Sequence, residues 1–182
     1  MRLVKGLLTA AALAGAAAPA LAQVAPPRWN PRAPENGQLL PTFSYSTVEP
    51  VLAAVGARYQ RAGEGAKPRL LVTFPNNRKA TLAFGACNGD GSACKSLGIQ
   101  SYWTRIANAP PEQVTKAVEG FNQRYSFGKA FVAADGRPAL QRYLTGDYGF
   151  VRGNLAVNFL VFANQAERFA SEVLRPLEAA KK

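Results

Sequence analysis

The chain has 182 residues, 48% of them apolar and 18% charged, which suits one globular domain with tails. Its 22 basic residues outnumber 11 acidic ones, for a formal charge of +11, so anionic surfaces and partners attract it. There is no histidine, which removes the commonest general base and the commonest zinc ligand together.

Arg2 and Lys5 precede an apolar Leu/Ala run that ends in Ala20-Leu21-Ala22, small at both flanking positions of an A-x-A cleavage site. This predicts a signal peptide over 1–22, a mature chain starting at Gln23, and a periplasmic or secreted protein. The run from Leu7 to Ala18 is too short and too rich in alanine to span ~30 Å of hydrocarbon. Without Arg2 and Lys5 the mature chain keeps 20 basic residues against 11 acidic, a charge of +9. Residues 23–41 carry Pro26, Pro27, Pro31, Pro34 and Pro41 and are expected to form an extended, poorly ordered lead-in. Trp29 within it either docks on the domain or is exposed. A single domain is expected over 42–175 and a basic tail over 176–182.

The domain opens with Ser46-Thr47-Val48-Glu49, which has capping-box spacing, and Val48, Val51, Leu52 and Val55 follow at helical intervals until Gly56. A first helix is therefore predicted over 47–55, with Pro50 in its first turn. Residues 57–61 are read as a strand and 64–68 as a loop. From Arg69 to Trp103, Leu70, Val72 and Phe74 alternate, as do Leu82 and Phe84, then Leu97 and Ile99, which predicts a three-stranded meander. Its turns are Pro75-Asn76-Asn77-Arg78 and Asn88-Gly89-Asp90-Gly91. Cys87 and Cys94 sit at the inner ends of neighbouring strands, and export would oxidise them to a disulfide. With six residues between them the bridge closes a small loop, so it pins a hairpin and does not create the fold. A redox-active pair is disfavoured, because the spacing is not C-x-x-C and no histidine is present to lower a thiol pKa. Gly85 and Gly98, with Ala83, make one face of the meander small; tight packing of a helix on that face is the expectation, a ligand groove the alternative.

Pro110-Pro111-Glu112 starts a second helix, and Val114, Val118, Phe121 and Tyr125 give it one apolar stripe over 111–125. Residues 129–134 and 139–144 flank Asp135-Gly136 as a hairpin, and 146–150 are read as a flexible loop. The longest helix is predicted over 155–174, with Asn154 as N-cap and Pro176 beyond its end. Its rows Leu155, Phe159, Phe162, Ala166, Phe169 and Val173, and Ala156, Leu160, Ala163 and Ala170, give a wide apolar face. A patch at Leu160, Ala163 and Ala170 is accordingly expected to meet a second copy or a partner. The whole is an α+β domain, an antiparallel sheet of about five strands with three helices packed on it.

No catalytic constellation emerges. Asp90, Asp135 and Asp147 stand beside glycines in predicted turns, where aspartate serves local hydrogen bonds. Asn88, Asp90 and Ser92 lack the closing glutamate of a calcium loop, and no nucleophile elbow accompanies the serines. No cofactor and no metal are expected. Nucleic acid is a poor partner for an exported chain whose cations are scattered without a run.

The segment Cys87 to Leu97, the helix end Phe121-Asn122-Gln123-Arg124-Tyr125, then Lys129-Ala130-Phe131 with Asp135-Gly136, then a glycine loop before a long C-terminal helix, resembles the YbjN family of bacterial proteins. The exported, cysteine-bearing branch is the nearest in pattern. The resemblance implies a fold similar to type III secretion chaperones and the behaviour of a sensory-transduction regulator, without enzymatic activity. The expectation is an exported, non-enzymatic binding or regulatory module that engages a protein or peptide. The alternative is a basic protein that associates with anionic components of the envelope.

Overall fold

The structure is a computed structural model that describes residues 29–180 apart from Glu64 and Ala66; the predicted signal peptide lies outside the described residues. In chain order come β1 (Leu39–Leu40), α1 (Tyr45–Ala54), β2 (Arg58–Ala62), β3 (Arg69–Thr73), β4 (Lys79–Gly85) and β5 (Ser96–Tyr102). They are followed by α2 (Pro111–Arg124), β6 (Lys129–Val132), β7 (Pro138–Thr145), β8 (Phe150–Val151), α3 (Arg152–Phe169) and α4 (Arg175–Ala179). The fold is α+β: a six-stranded antiparallel sheet in the order β2-β3-β4-β5-β7-β6, with β1 and β8 as a separate pair. The sheet thus has one strand more than the five or so anticipated.

Alternation along the meander sorts its residues. Leu70, Val72, Ala80, Leu82, Phe84, Leu97 and Ile99 are buried, and so are Leu140 and Leu144 of β7. Val48, Val51 and Leu52 of α1, Val114, Val118 and Phe121 of α2, and Leu155, Phe159, Phe162 and Phe169 of α3 join them in one core. Aromatic rings occupy much of it. Phe74 lies 6.5 Å from Phe159 and 6.3 Å from Phe162, while Phe169 lies 5.0 Å from both Trp103 and Phe121. Each fully buried phenylalanine contributes about 1.5–3 kcal/mol.

α1 starts two residues before the predicted position. Its N-cap is Ser44, whose Oγ accepts from the Thr47 N–H at 3.3 Å while the Ser44 N–H donates to Thr47 Oγ1 at 2.9 Å. Glu49 is thereby free to receive Arg61 of β2, at 2.6 and 2.8 Å, and Pro50 falls inside the helix instead of in its first turn. α3 starts three residues early, so Asn154 lies within it. Nor does Pro176 stop the helix. A π turn over Ala170–Leu174 joins α3 to α4, and the wider turn accommodates a ring that lacks an N–H and crowds the carbonyl four residues back. Leu177 is buried beyond it, so the predicted basic tail begins as packed helix.

The expected disorder before residue 41 does not describe its second half. Pro34–Gly37 form a 3-10 turn, β1 pairs with β8, and Phe43, fully buried, exchanges both backbone hydrogen bonds with Cys94 at 2.8 and 3.0 Å. Trp29 packs against the core. The loop 146–150 is correspondingly fitted and not free: a Cβ on Gly146 would stand 2.9 Å from the Phe43 ring, and Gly149, at φ +86°, would bring one 2.9 Å from the Leu40 carbonyl oxygen.

Two contacts clamp the β3–β4 turn onto α3. Asn76 Nδ2 donates to the Ala163 carbonyl at 2.8 Å, and Arg78 Nε donates to Glu167 at 2.6 Å, which holds the Glu167 carboxyl below the usual carboxylate range. A depressed folded pKa stabilises at neutral pH, and that contribution vanishes as pH falls through it. Glu167→Gln is therefore expected to lower the thermal midpoint at pH 7, with the difference from the unsubstituted protein shrinking as the pH is lowered below the usual carboxylate range, as read by circular dichroism melts.

Candidate functional site: the open face of the sheet

The helices cover one face of the sheet, and the other is left to solvent. Register aligns three rows on it: Arg58, Thr73 and Lys79, continued by Tyr102; Gln60, Leu71, Thr81, Gln100 and Gln141; and Arg69, Ala83, Gly98 and Tyr143. Leu71 is 48% exposed and Tyr143 64%, which is the behaviour of an uncovered surface. Ala83 and Gly98 are direct cross-strand partners here, so the small residues of the meander floor the open face. The expected helix packed on them is absent among the described residues, and the depression on this face is lined by other residues. A Cβ on Gly98 would meet nothing nearer than the Ala83 carbonyl oxygen at 3.8 Å.

Arg58, Thr73, Lys79, Thr81, Gln100, Tyr102 and Arg137 line a depression of about 640 Å³ on this face. The Arg137 guanidinium lies 4.9 Å from the centre of the Tyr102 ring, whose edge meets Phe131 at 6.2 Å. The charge is one-sided. None of the 11 acidic residues falls in β2 to β7, whereas Arg58, Arg61, Arg69, Lys79, Lys129 and Arg142 do. Glu49 pairs with Arg61, Glu167 with Arg78 and Arg175, Glu172 with Arg124 and Arg168, and Glu35 with Arg152. Arg58 and Lys79 take part in no ion pair among the described residues. The surface offers apolar, hydrogen-bonding and cationic groups together.

The three aspartates stand in separate turns and are not brought together. Asp90 accepts from the Ser92 hydroxyl at 2.7 Å and from its N–H at 2.9 Å, and these bonds lower its pKa. Asp135 accepts from the Arg137 N–H and Nε, with the same effect. Asp147 is exposed. Among the described residues no three His, Cys, Asp or Glu side chains gather to hold a metal ion. Cys87 and Cys94 are joined as a disulfide beside the Phe43 contact. Of the proposed interface residues, Ala163 and Ala170 are buried inside the chain, under the β3–β4 turn and against α2 respectively, and only Leu160 stays half-exposed. The face looked too wide for one chain because the turn at Asn76 supplies cover that helical periodicity does not reveal.

One residue stood in the sequence with no role and acquires one here. Asn122 Nδ2 donates to the Ala130 carbonyl at 2.9 Å, and the Ala130 N–H donates to Asn122 Oδ1 at 2.8 Å, so the side-chain amide pairs with the edge strand β6 as another strand would. Its neighbours complete the junction. The Tyr125 hydroxyl donates to both Glu172 oxygens, at 2.9 and 3.0 Å, and Arg124 Nη2 lies 3.4 Å from the same carboxylate in the π turn.

A small α+β domain thus has one face of its sheet uncovered among the described residues and no acid in the strands of that sheet. The chain belongs to the YbjN family, whose model, described as "Putative bacterial sensory transduction regulator", matches residues 44–175, from the N-cap of α1 to the first residue of α4. No curated protein and no solved structure matches the chain.

Two variants probe this geometry. Asn122→Ala leaves the Ala130 N–H and carbonyl without their partner and is expected to cost about 1–3 kcal/mol in a denaturant titration. Gly98→Val, which adds a side chain over open space on the solvent face, is expected to change stability by about 0.5 kcal/mol at most in the same titration.

Proposed function

We propose that the protein is an exported regulatory module that engages a protein or peptide partner through the open face of its sheet. Membership of a family described in terms of sensory transduction supports the regulatory part, and that description names no catalysis. The observation that carries the binding part is the uncovered face, whose strands hold no acid and where Arg58 and Lys79 line a depression with Leu71, Thr73, Thr81 and Gln100. Each exposed ion pair contributes at most about 1 kcal/mol, so recognition there draws on several contacts at once. The signal-like N-terminal sequence supports a periplasmic or secreted setting.

The test is capture from periplasmic extract with the mature chain and with an Arg58→Glu/Lys79→Glu double variant as bait. Polypeptides retained by the first and lost by the second identify partners of this face. Equal retention by both baits would place recognition elsewhere on the molecule.

The mature charge of +9 supports a second reading, association with anionic components of the envelope. It predicts that co-sedimentation with phosphatidylglycerol vesicles weakens several-fold as the screening length shortens to ~8 Å at physiological salt. Binding indifferent to salt would count against it.

A further inference from the structure

The two edges of the sheet are finished differently. Antiparallel pairs alternate between bonded and non-bonded positions, and the hairpin bonds set the phase. The Phe74 N–H donates to the Arg78 carbonyl and the Phe84 N–H to the Pro68 carbonyl, so Leu70 and Val72 bond to β4. Arg69, Leu71 and Thr73 are left to bond to β2, through Ala62, Gln60 and Arg58. Tyr59 and Arg61 consequently direct their N–H and C=O groups away from the sheet. The same count on β6, from the Ala133 N–H to the Arg137 carbonyl, turns Ala130 and Val132 outward, and there Asn122 takes up both backbone groups of Ala130. No loop or turn bond reaches the backbone of Tyr59 or Arg61 among the described residues. Arg58 to Arg61 are all exposed.

An unpaired edge is a template for another strand, and the side chains beside it decide which one. A strand laid along β2 would point the residues opposite Arg58, Gln60 and Ala62 onto the open face. The position opposite Arg58 meets a guanidinium that has no carboxylate, and the position opposite Ala62 looks toward Arg69 on the next strand. β2 itself has the sequence RYQRA, so a second copy would bring two more arginines and no acid to the edge of an already basic chain.

We propose that β2 receives an extended acidic segment of a partner protein as a seventh strand, antiparallel or parallel, with alternate carboxylates over Arg58 and Arg69. This rests on the reading of the open face as a binding surface and supplies its mode: backbone bonds at Tyr59 and Arg61 give the hold, and the cations of the face select the sign. Arg61, already engaged with Glu49, keeps β2 fixed to α1 while the edge is used.

The probe is a fluorescein-labelled ten-residue peptide of alternating glutamate and valine, with a lysine-valine peptide as control, titrated onto the mature chain by anisotropy. Amide hydrogen exchange is followed at β2. The expected result is binding of the glutamate peptide only, exchange at Tyr59 and Arg61 slowed by about tenfold or more, and binding weakened by about tenfold in Tyr59→Pro, which deletes an outward N–H. Circular dichroism checks that variant's fold, and the exchange measurement on the unsubstituted chain does not depend on it. If the peptide binds, and Arg58→Glu abolishes binding, while the Tyr59 and Arg61 amides exchange at their free rates, strand addition is wrong and the open face remains the binding surface. If the peptide does not bind at all, strand addition is also wrong, and the double-variant capture judges the wider reading by itself. Protection of β2 in the chain alone, with a dimer in sedimentation, would give the edge to a second copy and overturn the proposal.

Discussion

Burial of every second residue of the meander under α1, α2 and α3 is the contact on which the rest depends. A strand presents two faces, and whichever set the helices cover, the other must live in water. Leu70, Val72, Leu82, Phe84, Leu97 and Ile99 claim the helices, and the phenylalanines of α3 fill the space between. Leu71, Thr81, Ala83, Gly98 and Gln100 are then committed to the outside by the pleat alone. The open face is thus a by-product of the core, and what the chain adds to it is chemistry. Its strands carry no acid, and the carboxylates sit on helices, turns and loops, where arginines meet five of them among the described residues.

The edges follow from the same economy of cover. α2 lies along β6 and places Asn122 against it, so the outward groups of Ala130 at that edge are satisfied by a side chain. α1 approaches β2 from the helical side only, through Glu49 and Tyr45, whose hydroxyl reaches the Ala62 and Arg69 carbonyls at 3.4 and 3.2 Å. Those contacts fix where β2 lies without occupying its outer groups. The asymmetry is one of geometry before it is one of function: a helix that reaches around a strand can close it, and a helix that only underlies it cannot.

Much of this was legible in the sequence where a repeat covers several residues. Period two in β3 to β5 and the stripe Val114, Val118, Phe121 give their elements directly. What was hidden turns on contacts between distant residues. Ser44 with Thr47 and Ser46 with Glu49 are overlapping caps, and Arg61 decides between them by taking Glu49. Proline rules stop a helix at Pro176, but Leu177 gains burial by going on, and a π turn reconciles the two. A pleat has two faces, so the small residues Ala83 and Gly98 were visible while the side they face was not. β1, two residues long, has no period to read.

The reciprocal bonds between Phe43 and Cys94 have a mechanical meaning. The lead-in reaches the domain through Trp29, the Pro34–Gly37 turn and then β1, and Phe43 follows just before α1, so tension applied from the N-terminal side meets those contacts before the Phe43–Cys94 pair. Cys94 cannot yield by unravelling its own loop, because the bond to Cys87 closes that loop covalently. A tug on the lead-in is therefore met by a series of short contacts outside the six-stranded sheet. These contacts stand between the lead-in and the sheet, as an anchor point stands between a rope and the instrument it holds.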